Sequence, residues 1–127
     1  MAMETILDEA HLQARMAGPA LLVLFGGAHC GVCQAIRPRI EALVATRFPQ
    51  ISQAYVDCEQ TPAVCAQQGV FSLPVLRLYV QRRLALEYGR SFSLQQVLGD
   101  VERVLSQAQP ATPTGCGGSR NPPSDPA

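Results

Sequence analysis

The sequence predicts an α/β domain: a mixed β-sheet of four strands with helices on both faces. Three observations carry that prediction. Leu21-Leu22-Val23-Leu24-Phe25 is apolar at every position, as a central strand covered on both sides requires. Segments with helical spacing alternate with short apolar runs through the first half of the chain, the order expected when helices pack over a sheet. Two β-rich runs, Val75–Val80 and Leu84–Tyr88, are separated only by Gln81-Arg82-Arg83, which is hairpin spacing.

The first element reads as a helix from Met3 to Ala17. Ile6, Leu7, Ala10, Ala14 and Ala17 recur at helical spacing, acidic residues come early and Arg15 late, and Gly18-Pro19 ends the run. That helix leaves no room for an additional N-terminal strand. After the Leu21–Phe25 strand, Gly26 to Gly31 forms a loop. A long helix then runs to Phe48, with Ile36, Ile40, Leu43 and Val44 as its buried stripe. Pro38 lies inside it and removes one backbone hydrogen bond, which predicts a kink. Ile51–Asp57 reads as a strand from its length and flanks. Thr61-Pro62 supplies an N-cap and first helical residue, and Gly69 a stop, for a short third helix. Ser93-Leu94-Gln95-Gln96 is a capping-box pattern that opens the last helix, whose stripe runs through Leu94, Val97, Leu98, Val101, Val104 and Leu105. Gly99 weakens that helix by about 1 kcal/mol relative to alanine without removing it. The chain thus divides into a folded domain, residues 1–109, and a Pro- and Gly-rich tail, residues 110–127, expected to be disordered.

Composition narrows the function. Ten basic residues, all arginine, balance ten acidic ones, so a nucleic acid or anionic membrane partner is not expected. No apolar run approaches the roughly 20 residues a bilayer requires. Glu4, Asp8 and Glu9 stand where a secretory leader would be basic and then apolar, which points to the cytoplasm. In that reducing setting the five cysteines are first read as reactive, metal-binding or buried.

Cys30-Gly31-Val32-Cys33 sits where a strand gives way to a helix. Unpaired N–H groups and the positive dipole end at a helix N-terminus stabilise a thiolate, bringing a cysteine pKa from about 8.5 into the range of roughly 3.5–7.5. Cys30 is expected to be the more exposed nucleophile, and Cys33, one turn into the helix, the resolving thiol. Gly31 leaves the approach to Cys30 open.

These residues resemble the thioredoxin family. The shared features span residues 3–108: the strand leading into Cys30-Gly31-Val32-Cys33, Pro38 five residues after the second cysteine, Leu73-Pro74 before a strand, and Gly89 at the last strand's exit. The resemblance implies a thioredoxin-like fold with the strands at Ile51, Leu21, Val75 and Leu84 side by side. It also implies a cis bond before Pro74, with the Leu73 backbone pairing to a substrate strand. The activity it implies is thiol–disulfide exchange with protein disulfide or dithiol substrates, by a monomer that needs no cofactor and is recycled by a cellular thiol reductase. Four positions depart from the family: His29 replaces a tryptophan, Val32 a proline, Gln34 a lysine and Leu24 a buried aspartate. Without that aspartate, resolution at Cys33 would run more slowly, use water or take another proton donor. His29 has two readings, a cation that supports the Cys30 thiolate or an exposed loop residue with no role.

The remaining cysteines are read more plainly. Cys58 and Cys65 are expected to be buried or partly buried free thiols, with a second disulfide as the alternative. Cys116 is expected to be an exposed thiol in the tail. A zinc site built from His29, Cys30, Cys33 and Cys58 or Cys65 does not match the spacing of zinc modules, so no metal is expected. His11 is expected on the surface of the first helix. The competing functional class is a binding or chaperone module that keeps the fold with little redox turnover.

Overall fold

The computed structural model describes residues 3–90 and 92–108; the expected tail and Cys116 lie outside the described residues. Along the chain run β1 (Glu4–Thr5), α1 (Glu9–Met16), β2 (Ala20–Gly26), α2 (Gly31–Arg47), β3 (Ser52–Asp57), α3 (Pro62–Gln67), β4 (Val75–Val80), β5 (Arg83–Gly89) and α4 (Leu94–Ala108). The sheet order is β1-β3-β2-β4-β5. β1, β3 and β2 are mutually parallel, while β4 runs antiparallel to β2 and β5 antiparallel to β4.

The sheet therefore has five strands, where the sequence suggests four. β1 pairs Glu4 with Ala54 and Thr5 with Tyr55, and the Ile6 N–H extends the pairing to the Tyr55 carbonyl at 2.9 Å. The first helix is correspondingly shorter than Met3–Ala17. Asp8 caps it, its side chain accepting from the His11 N–H at 2.8 Å, so Ile6 and Leu7 precede the helix. His11 is half-buried on α1: its Nδ1 accepts from the Leu7 N–H and its Nε2 lies 3.0 Å from Glu4 Oε2, fastening α1 to β1.

β2 is buried along its whole length because both of its faces are covered. Leu22 and Leu24 pack beneath α2 and α4 with Ile40, Val44, Tyr55, Leu76 and Val101. Leu21, Val23 and Phe25 pack beneath α1 and α3 with Leu12, Val64, Cys65 and Val75. Each such side chain contributes roughly 1.5–3 kcal/mol relative to exposure. α2 continues through Pro38 and α4 through Gly99. Ser93 does open α4, its Oγ accepting the Gln96 N–H at 3.2 Å. Thr61 precedes α3 without a side-chain cap; its hydroxyl donates to the Asp57 carbonyl instead. In the β4–β5 hairpin Val80 pairs with Arg83, so the turn is Gln81-Arg82, both at positive φ (53° and 70°). Arg83 belongs to the strand rather than to the turn.

Candidate functional site

β2 ends at Gly26, the loop turns at Gly27–His29, and Cys30 stands as the N-cap of the 17-residue α2. Cys30 and Cys33 form a disulfide with their Cα atoms 5.2 Å apart. The Cys30 Sγ accepts the Cys33 N–H at 3.2 Å, one of the amides that a helix N-terminus leaves unpaired. Cys33 is fully buried, whereas Cys30 is half-buried. A Cβ added at Gly31 would meet nothing within 4 Å, and Val32 is 53% exposed, so the approach to Cys30 is open.

The loop is fixed from β3's exit. Glu59 accepts the His29 N–H on Oε2 at 2.8 Å, and its Oε1 lies 2.7 Å from His29 Nδ1. The His29 backbone N–H first, and its ring second, hold the Glu59 carboxyl below its ordinary pKa. The His29 side chain itself is 91% exposed and turned to Glu59. The Cys58 N–H adds a bond to the Gly26 carbonyl at 2.7 Å. Both glycines before the motif stand in close quarters, Gly26 against the buried Cys33 and Tyr55 and Gly27 against the movable end of Glu59. At Gly27 a Cβ would come within 2.7 Å of Glu59 Oε2, and at Gly26 within 2.9 Å of Cys33 Cβ.

The register brings the other candidate residues to the same end of the sheet. Phe25 pairs with Val75, and Val75 with Gly89, so Leu73-Pro74 and Gly89 stand at the end of the sheet from which the Cys30 loop leaves. The Leu73–Pro74 bond is cis; Pro74 is buried and its carbonyl accepts the Arg90 N–H at 2.9 Å. Leu73 is half-buried and packs on the α1/α3 side. Leu24 is fully buried and apolar in its surroundings, with no polar group delivered at that position.

Cys58 and Cys65 are joined in a second disulfide, Cα–Cα 5.7 Å, which overturns the expectation of free thiols. The turn from β3 into α3, held by Asp57 accepting the Glu59 and Gln60 N–H groups, folds the chain back far enough to bring the two sulfurs together. Among the described residues, no group of three or more His, Cys, Asp or Glu side chains is placed to hold a metal ion.

Glu59, Gly26, Gly27 and Tyr55 escape a sequence reading of the site. Glu59 meets His29 across 30 residues of chain, and no local pattern marks such a pair. The available signal was the Gly26-Gly27 doublet, which implied a close approach without naming what approaches.

Comparison with known proteins decides the family: a profile described as Thioredoxin matches residues 5–101. The chain belongs to the thioredoxin family. A thioredoxin from Alicyclobacillus acidocaldarius subsp. acidocaldarius is 28% identical over 75 residues, 59% of this chain and 71% of that one. A thioredoxin from Streptomyces clavuligerus is 37% identical over 59 residues, 46% of this chain and 54% of its own. The crystal structure of thioredoxin from Trypanosoma brucei brucei matches with a TM-score of 0.74 at 15% identity, covering 83% of this chain and 92% of that one. That likeness shows the thioredoxin fold. Membership of the thioredoxin family supports a thiol–disulfide oxidoreductase role in general terms. Among the described residues no helix is long and apolar enough to cross a membrane.

Proposed function

We propose that the protein exchanges the Cys30–Cys33 disulfide with protein substrates, Cys30 acting as nucleophile and Cys33 as resolving thiol. The observation that carries this reading is the asymmetry of the pair: a half-buried sulfur capping a long helix, bonded to one that is fully buried. In the reducing direction, the Cys30 thiolate attacks a substrate disulfide. A Cys30–substrate bond forms and the other substrate sulfur leaves as a thiolate. The Cys33 thiolate then attacks Cys30 Sγ, closes the Cys30–Cys33 bond and expels the second substrate sulfur. Two electrons pass to the substrate and stay in its thiols, and a cellular thiol reductase supplies two more to reopen the Cys30–Cys33 disulfide.

Substrate contact follows from the same end of the sheet. Val32 is 53% and Phe71 83% exposed, apolar groups beside the motif and beside Leu73 that suit a protein chain. The backbone of Leu73 would pair with that chain, with Gly31, Pro74 and Gly89 leaving it room and His29 bordering Cys30. The protein works as a monomer in the cytoplasm, with residues 1–109 as its folded unit.

Reduction of insulin disulfides with dithiothreitol as electron source tests the reading. Cys30→Ser is expected to abolish turnover, and Cys33→Ser to accumulate a mixed disulfide with substrate. Should both variants match the wild type, exchange is not the function and the binding-module reading takes its place.

A further inference from the structure

Tyr55 lies on β3 directly opposite Leu24 of β2, within the cluster that α2 and α4 cover. It is 3% exposed, and its hydroxyl oxygen is buried with no hydrogen-bond partner among the described residues. Leaving a buried hydroxyl unpaired costs about 1–3 kcal/mol, and buried tyrosines ordinarily find a partner. The surroundings of Gly26 explain the exception. A Cβ at Gly26 would stand 3.0 Å from Tyr55 Oη and 3.1 Å from Cys33 Sγ. The hydroxyl and the resolving sulfur therefore border one small volume above Gly26, no farther apart than a single bridging water can span.

The groups around Tyr55 are otherwise engaged. On α2, the Arg37 guanidinium lies 4.0 Å from the ring centroid and is tied to Glu41, while Gln34 Nε2 donates to the Gly27 carbonyl at 3.1 Å. On β3, Asp57 Oδ1 accepts from the Glu59 and Gln60 N–H groups, and Glu59 holds His29. β2 offers only Leu24 and Gly26, neither of them titratable. Burial, and after it Asp57, raise the Tyr55 pKa against the weaker pull of Arg37 and Gln34. The phenol keeps its proton at neutral pH and can only donate to an anion beside it.

We infer that the Tyr55 hydroxyl donates a hydrogen bond to Cys33 Sγ when Cys33 is a thiolate, supplying at the resolving sulfur the polar support that Leu24 cannot. This inference rests on the proposed role of Cys33. In the disulfide, the Cys33 sulfur is a weak acceptor and the hydroxyl goes unpaired; as a thiolate it is a strong one. Tyr55 retains its own proton throughout. The bond that forms in resolution is Cys30–Cys33, the bond that breaks is Cys30–substrate, and the electron pair leaves with the substrate sulfur. Because the hydrogen bond exists only in the reduced protein, it favours the dithiol and makes the couple more oxidising.

The test is Tyr55→Phe, which keeps the ring beneath Arg37. In a Cys30→Ser, Cys116→Ser background with Cys58–Cys65 oxidised, Cys33 is the one free thiol, and the NMR shift of its labelled Cβ reports its ionisation. The thiolate fraction below the midpoint is expected to fall about tenfold in Tyr55→Phe, since hydrogen bonds to charged groups carry that much. Resolution of a preformed mixed disulfide should slow only about threefold at neutral pH, because the more basic sulfur is also the better nucleophile. Above the midpoint the order reverses, so the two pH–rate profiles cross. Attack by Cys30, measured with Cys33→Ser, should not change, and the couple should become more reducing.

Superimposable profiles, or an unmoved Cys33 titration, overturn the inference. A wild type that exchanges no disulfides would instead overturn the proposed function, while the Cys33 titration still decides the role of Tyr55. If Tyr55→Phe fails to fold, 3-fluorotyrosine in place of Tyr55, a stronger donor, must lower the Cys33 titration midpoint; no shift overturns the inference equally.

Discussion

The two faces of the sheet each carry a disulfide, and they treat polar groups differently. Beneath α1 and α3, Arg77 is 9% exposed and engages with all three of its nitrogens: Nε to Glu87 Oε2 at 2.8 Å, Nη1 to Tyr79 Oη and Nη2 to the Gln68 carbonyl, both at 3.0 Å. Cys65 packs into the same cluster, 3% exposed, in a six-residue helix. Beneath α2 and α4, the Tyr55 hydroxyl stands unpaired next to Cys33, and Cys30 caps a helix almost three times as long. Each disulfide joins one buried and one half-buried cysteine, so burial alone does not separate them. A guanidinium engaged at every nitrogen holds structure, whereas an unpaired hydroxyl donor beside a helix N-terminus is held ready for a change of charge.

Three experiments press on that contrast. The largest effect is expected from Gly26→Ala, whose methyl would meet Cys33 Cβ at 2.9 Å and Tyr55 Oη at 3.0 Å. Overpacking of this kind costs about 2–3 kcal/mol, read as a lower urea midpoint at constant slope. Next, Cys58→Ala with Cys65→Ala should cost about 2 kcal/mol, the loop-closure entropy of so short a loop, while insulin reduction proceeds at the wild-type rate. If turnover falls with the second disulfide, the two faces are coupled and the contrast fails.

The smallest effect concerns the loop between them. Glu59→Ala frees His29 and should slow exchange by no more than about threefold, as exposed ion pairs contribute little. The sign of the pH dependence follows from the lowered Glu59 carboxyl. Its hold on His29 is complete above the ordinary carboxylate pKa and is lost as pH falls through the lowered one. Hydrogen exchange at the His29 amide should therefore lose protection in acid in the wild type. In Glu59→Ala the protection should be missing at every pH.

Much of this molecule is legible in its sequence, for reasons that differ by element. β2 is readable because both faces are buried, which forces an unbroken apolar run. α2 and α4 are readable because their buried stripes survive Pro38 and Gly99. β1 is not: Glu4 and Thr5 are both exposed, the Glu4 carboxylate is engaged only by His11 and Arg15 of the following helix, and a two-residue strand has no period. Ile6 also falls into helical spacing with Ala10 and Ala14, which conceals Asp8 as the cap. The motif cysteines announce themselves by spacing and location. The state of Cys58 and Cys65 does not, because a seven-residue separation permits a bond without demanding it. Tyr55 and Arg77 acquire their meaning from partners on other elements. A tyrosine interrupting an otherwise small and aliphatic stretch, Ala54-Tyr55-Val56, was the one visible trace.

The shortness of β1 matters for how the sheet meets other chains. One lateral rim is covered by β1 only at Ala54 and Tyr55 of β3, and the other is β5, whose Arg83 and Glu87 place opposite charges along an outward strand. Opposite charges along β5 work against a foreign strand stacking flush on that rim.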